Sequence, residues 1–184
     1  MLGLGNSITH PASISSGGFV FFKSLLSSSD FESLSTEGGN ITFTEDVSTP
    51  DSIDPITGET VDGTGGWLKC VYPSTDQSNK SGISNSSFLA GAPQGGSSFT
   101  ISFDIYLEDE SKWGGTDDVL THSLAYNFGV SEGVPPDQPV FYEDTSTGLS
   151  SNNNQLQIYW LTIGDLPKAG AVFYIKNLSF RINL

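Results

Sequence analysis

Positive charge is what this chain has least of: 7 Lys and Arg stand against 21 Asp and Glu in 184 residues, a net charge of −14. The cations, Lys23, Lys69, Lys80, Lys112, Lys168, Lys176 and Arg181, are scattered, so no basic patch could release counterions from nucleic acid or an anionic membrane surface. Neither is expected as a partner. A single cysteine excludes an intrachain disulfide, and Cys70, inside the apolar run Trp67-Leu-Lys-Cys-Val-Tyr72, is expected to be a buried, inert thiol. The strongest early apolar run, Phe19 to Leu26, is interrupted by Lys23 and too short to span a bilayer, so no membrane insertion is expected. Met1-Leu-Gly-Leu-Gly-Asn-Ser-Ile8 lacks the basic start and sustained apolar centre of a signal peptide, and none is expected. Helical periodicity is missing too: no stretch keeps three-and-four spacing with caps over three turns, which predicts very little helix.

Catalytic side chains are equally sparse. With 2 histidines, a triad needs His10 or His122. His10 lies in a small, polar N-terminal stretch, and His122 is in phase with the apolar residues around it, the setting of a hydrogen-bonded core or rim histidine. Two histidines and one cysteine offer no zinc spacing. The acidic pairs Glu45-Asp46, Asp117-Asp118 and Glu143-Asp144 are sequence neighbours, which a strand points to opposite faces unless a bulge intervenes, so they do not pair across a glycosidic bond. Gly91-Ala-Pro-Gln-Gly-Gly96 lacks the Lys and the following helix of a phosphate-binding loop. The expectation is a protein that is not an enzyme and carries no cofactor.

Aromatic residues are what the chain does have. Hydrophobic residues make up only 36%, yet 12 Phe, 6 Tyr and 3 Trp supply large side chains enough to offset the chain entropy of folding. The length fits one core. Ser98 to Leu107 alternates Phe99, Ile101, Phe103, Ile105 and Leu107 with polar residues and Tyr106, a period of two that predicts a half-buried strand. Similar runs place Leu120, His122, Leu124, Tyr126, Phe128 and Val130 on one face, and Leu178, Phe180, Ile182 and Leu184 on another. Gln155 to Ile163, apolar on both faces from Tyr159, reads as a central strand, and Ile41-Thr-Phe43 and Leu68 to Tyr72 as shorter ones. Long polar connections, Ser48 to Gly66, Pro73 to Ser87, Lys112 to Asp118 and Asp144 to Asn154, favour Greek-key crossings over a meander. The fold expected is all-β: a jelly-roll β-sandwich of two antiparallel sheets over residues 19–184, preceded by an extended N-terminal arm over residues 1–18.

Several segments resemble the jelly-roll carbohydrate-binding modules of the family 4 and family 9 type, within the galactose-binding-like sandwiches. Ser28-Ser-Asp-Phe-Glu32 is similar to their opening turn, Gly65-Gly-Trp-Leu-Lys-Cys-Val71 and Ser98-Phe-Thr-Ile-Ser-Phe-Asp-Ile-Tyr106 to two of their strands, and Gly170-Ala-Val-Phe-Tyr-Ile-Lys-Asn-Leu-Ser-Phe180 to their final strand. The resemblance implies a sandwich, and a structural calcium shared by the opening turn and the last strand. Glu32 matches the first ligand, but Lys176 stands where the last strand usually has Asp and only Asn177 offers an oxygen, which leaves the metal undecided. The start of the chain and its Gly/Ser/Asn-rich, Lys-poor composition also resemble small virion proteins of marine and cyanobacterial tailed phages.

Two functions follow. The first is a structural protein on the exterior of a tailed-phage virion, such as a capsid decoration, fibre or tail-associated protein. It would assemble in the host cytoplasm with other virion proteins or copies of itself, docking through Leu2, Leu4, Ile8 and Ile14 of the arm, with surface glycans as a further partner. The alternative is a carbohydrate-binding module that docks a polysaccharide. Sugar binding needs exposed rings as stacking platforms. Tyr106 points away from the apolar side of its strand and Trp113 sits in a polar loop, which makes both candidates, with Trp160 a weaker one; the competing reading assigns each ring to the core or a subunit interface.

Overall fold

A computed structural model describes residues 20–25, 27–34, 37–49, 51–53, 60–61, 63–78, 81–86, 98–113, 119–124, 130–133, 137, 139–146, 156–160 and 166–183. The proposed arm, with Leu2, Leu4, Ile8 and Ile14, lies outside the described residues, as does His10.

Among the described residues thirteen strands follow in chain order: β1 (Val20–Leu25), β2 (Glu32–Ser33), β3 (Thr42–Val47), β4 (Ser52–Ile53), β5 (Thr60–Val61), β6 (Trp67–Val71), β7 (Ser81–Asn85), β8 (Ser98–Glu108), β9 (Val119–Leu124), β10 (Val130–Gly133), β11 (Val140–Ser146), β12 (Leu156–Trp160) and β13 (Val172–Asn183). One antiparallel sheet runs β11-β8-β13-β6-β3, with β1 pairing the second half of β13. The other runs β10-β9-β12-β7-β2, and β4 and β5 form a small pair of their own. The described helical structure is two short 3-10 turns, Ser28–Asp30 and Glu110–Lys112. The fold is the expected all-β sandwich, and apart from β9–β10 the neighbours in the two large sheets are not consecutive in the chain, as Greek-key crossings require.

Period-two alternation builds the core. Leu68 and Cys70 of β6, Phe103, Ile105 and Leu107 of β8, and Phe173 and Ile175 of β13 point from the six-stranded sheet onto Ile83 of β7 and Leu156, Ile158 and Trp160 of β12. Cys70 is a buried free thiol, as expected, and burial pushes its pKa up. At one end of this core Tyr72, Trp113, Trp160 and Phe173 pack ring against ring, with centroids 5.0–6.4 Å apart.

Besides the two-residue strands, two strands run through segments that sequence periodicity passes over. β7 lies inside the polar stretch read as a connection: Ser81-Gly-Ile-Ser-Asn85 is buried at every position although Ile83 is its single large apolar residue. Smallness is the requirement there. Gly82 pairs with Tyr159, and a Cβ on Gly82 would run into the Ile158 carbonyl oxygen and the Tyr159 Cα. β11 is the other, an edge strand whose Val140-Phe-Tyr142 is too short an apolar run to register by alternation.

Candidate functional site

The residues that alternate with the core set form the outward face of the six-stranded sheet, and cross-strand register lays them out in rows. Tyr106 of β8, Tyr174 of β13, Lys69 of β6 and Thr44 of β3 stand side by side. A neighbouring row runs Phe141 of β11, Asp104 of β8 and Lys176 of β13, and Trp67 of β6 pairs with Val47 of β3. On the other side lie Glu108, Val172, Val71 and Thr42.

Two bulges shape this face. Between Lys176 and Ser179 β13 slips against β8, and Asn177, at φ 55°, takes the left-handed conformation that Asn tolerates. The slip brings the Asn177 Nδ2 onto Asp104, to which it donates at 2.7 Å. A second slip between Thr44 and Val47 puts Asp46 at φ 53°, its Oδ1 accepting the Gly66 N–H at 2.9 Å. Its neighbour Glu45 instead accepts from the Ser28 N–H and hydroxyl, both at 2.6 Å, which lower its pKa, so this acidic pair serves two separate anchoring contacts.

Trp67, Tyr106 and Tyr174 make a second aromatic cluster, separate from the core, with Val47 and Val172 packed against it. Tyr106 and Tyr174 tilt against each other at 5.4 Å, and the Tyr174 hydroxyl donates to Glu108 at 2.5 Å. Desolvation raises the pKa of both tyrosines, with the Asp137 and Glu108 charges adding to it at Tyr106 and the Glu108 hydrogen bond at Tyr174. Two ammonium groups lie over this floor, Lys69 Nζ 5.5 Å from the Tyr174 ring centre and Lys176 Nζ 5.6 Å from that of Trp67. The rings are buried, Trp67 at 0%, Tyr174 at 6% and Tyr106 at 7% exposed, whereas Phe141 at the edge of the same face is 52% exposed.

The three rings expected to stack sugar are placed differently from one another. Tyr106 does lie on the face opposite the core, but buried in a packed cluster. Trp113 and Trp160 are corrections: both are buried in the core cluster, Trp113 after the Glu110–Lys112 turn with its Nε1 donating to the Glu108 carbonyl at 3.1 Å. Although its sequence neighbours are polar, Trp113 packs onto Trp160, with ring centres 5.0 Å apart. Neither ring face is open to a ligand. Sequence reasoning passed over Phe141, Trp67, Tyr174, Lys69 and Lys176 as a set; the signal was present in Trp67, Lys69 and Val71 alternating with Leu68 and Cys70, and in Val172, Tyr174 and Lys176 alternating with Phe173 and Ile175.

His122 occupies a register position on β9 opposite Val130 and Ile158. Of the residues matched to a calcium site, Glu32 is on β2 of the five-stranded sheet and Lys176 and Asn177 are on β13 of the other sheet. Among the described residues no group of three or more His, Cys, Asp or Glu is placed to hold a metal ion.

No family model and no curated protein matches this chain. Solved structures do. The CBM22-2 xylan-binding domain of Paenibacillus barcinonensis Xyn10C superposes with a TM-score of 0.50 at 15% identity, over 88% of this chain and 98% of that one. A second likeness, TM-score 0.50 at 14% identity, is to the arabinose-bound α-L-arabinofuranosidase MgGH51, over 84% of this chain but 23% of the enzyme. At such identities the likeness shows the fold: a jelly-roll sandwich of the carbohydrate-binding-module type. The resemblance of the N-terminus to virion proteins finds no support in these comparisons.

Proposed function

We propose that this chain is a non-catalytic carbohydrate-binding module that docks a polysaccharide on the outward face of its six-stranded sheet. The observation that carries the reading is the composition of that face: aromatic rings from β6, β8 and β13 clustered on it, Tyr106 and Tyr174 in register, flanked by ammonium, carboxylate and amide groups, with Phe141 open at its edge. Sugars need this combination, apolar ring faces for their C–H surfaces and charged or amide groups for their hydroxyls. The likeness in fold to a xylan-binding domain supports it.

The virion reading draws its support from composition and from N-terminal residues outside those described, and nothing in the outward face favours it over sugar binding. Native affinity electrophoresis through a panel of neutral and uronate-bearing polysaccharides tests the proposal. Retardation by at least one polymer, weakened severalfold in Phe141→Ala (a stacking contribution of about 1 kcal/mol), is the expected result. Unretarded migration through every gel overturns it.

A further inference from the structure

The charged groups of the outward face are used unevenly. Its carboxylates each take a hydrogen bond from the face itself, Glu108 from the Tyr174 hydroxyl and Asp104 from the Asn177 amide. Its ammonium groups are less engaged. Among the described residues Lys69 Nζ has no acceptor and rests only on the Tyr174 ring. Lys176 Nζ has one long hydrogen bond, 3.5 Å to the Thr64 carbonyl, and a charge interaction with the neighbouring Asp104, and the Trp67 Nε1 beneath it is buried without a partner.

This placement is unusual for a chain with 7 cations in all. The other two lysines whose side chains are described are spent on fastening loops, Lys112 on the Ala169 carbonyl at 3.1 Å and Lys168 on the Ser111 carbonyl at 2.8 Å. Of the pair over the aromatic floor, Lys69 fastens no carbonyl and Lys176 reaches one only at 3.5 Å.

Resting on the carbohydrate-binding reading above, we infer that the face takes a uronate-bearing polysaccharide, with Lys69 and Lys176 meeting sugar carboxylates. The lysines cover the rings that a sugar would stack on, so any sugar must draw them aside. A neutral sugar replaces the ammonium–ring contact with hydroxyl hydrogen bonds alone, whereas a carboxylate replaces it with a charge-assisted bond, which is stronger. Selection for acidic sugar then arises from the cover itself. It is local: beyond a Debye length, about 8 Å at physiological salt, the chain's net negative charge is largely screened, while a contact between Lys69 and a carboxylate is not.

Affinity electrophoresis of the full chain through polygalacturonate and through neutral linear xylan reads this directly. At about 0.1 M salt, polygalacturonate should bind on the order of tenfold tighter, a gap that closes towards about 1 M salt. The double variant Lys69→Gln/Lys176→Gln should lose the gap, while Lys112→Gln/Lys168→Gln, which removes the same charge elsewhere, should keep it. Should either double variant melt below the assay temperature, the corresponding single variants replace it; Lys69→Gln and Lys176→Gln are each expected to lose part of the gap. Equal affinity for the two polymers, a gap that survives loss of Lys69 and Lys176, or a gap lost equally on changing Lys112 and Lys168 overturns the inference. Binding to xylan alone sinks the uronate preference and leaves the carbohydrate reading standing, whereas binding to no polysaccharide sinks both.

Discussion

Two aromatic clusters sit on opposite faces of one sheet, and their surroundings set them apart. Tyr72, Trp113, Trp160 and Phe173 are enclosed by Leu, Ile and Ala of both sheets. Trp67, Tyr106 and Tyr174 are just as tightly packed, yet their neighbours are Lys69, Lys176 and Glu108. The first cluster can only hold the sandwich together. The second buries its rings under side chains that water and ligand can pull away, so a part of its packing is exchangeable. The number of rings in a sequence therefore says less about function than the polarity of what lies over them.

The largest test of that contrast is truncation in the core. Trp160→Ala removes a fully buried ring and should cost about 3–5 kcal/mol, lowering the melting temperature by roughly 10 °C or more. Next comes Gly82→Val, which should cost about 1–3 kcal/mol, because the added carbons meet the backbone of Ile158 and Tyr159, which cannot yield as a side chain would. On the other face the same methods should find little: Phe141→Ser should change stability by no more than about 0.5 kcal/mol while weakening polysaccharide retention. A large loss of stability in Phe141→Ser would erase the distinction between the faces.

How far the sequence reveals this division depends on the period of each segment. Ser98 to Leu107 alternates cleanly, and β8 is where alternation puts it, with Tyr106 on the face away from the core. The C-terminal run is harder, since the bulge at Asn177 shifts the phase: Phe173 and Ile175 are core before it and Leu178 after it, so one strand carries two alternations. β7 is invisible to a hydrophobicity pattern because its constraint is volume at Gly82. Trp113 misleads for a related reason, since the polarity of a loop describes its backbone setting while a single ring can fold inward. The candidate face as a whole is legible only once register is known, because Phe141, Asp104 and Lys176 come from three distant segments.

The smallest effect separates the two clusters by charge. Nothing in the core cluster ionises in the acid range, its one titrating group, Tyr72, being pushed further up by burial. The outward face holds Asp104, whose pKa burial raises above the ordinary 3.8, against smaller opposing effects of the Asn177 hydrogen bond and Lys176. A raised carboxyl pKa means that the folded chain binds this proton more tightly than the unfolded chain does, so the stabilising contribution is present below pH 3.8 and is lost as pH rises through the folded value. At neutral pH the ionised Asp104 is thus a net cost to the fold. Asp104→Asn removes the ionisation while keeping an oxygen to accept from Asn177, so this variant should melt above the wild type at pH 7, by on the order of a degree given the partial exposure of the site. The advantage should shrink on acidification and vanish below about pH 4, whereas Trp160→Phe should show a deficit that does not vary with pH across that range. If Asp104→Asn melts below the wild type at pH 7, the carboxylate is held by Lys176 more strongly than burial penalises it; Lys176 is then committed to the sheet rather than free to leave the Trp67 ring.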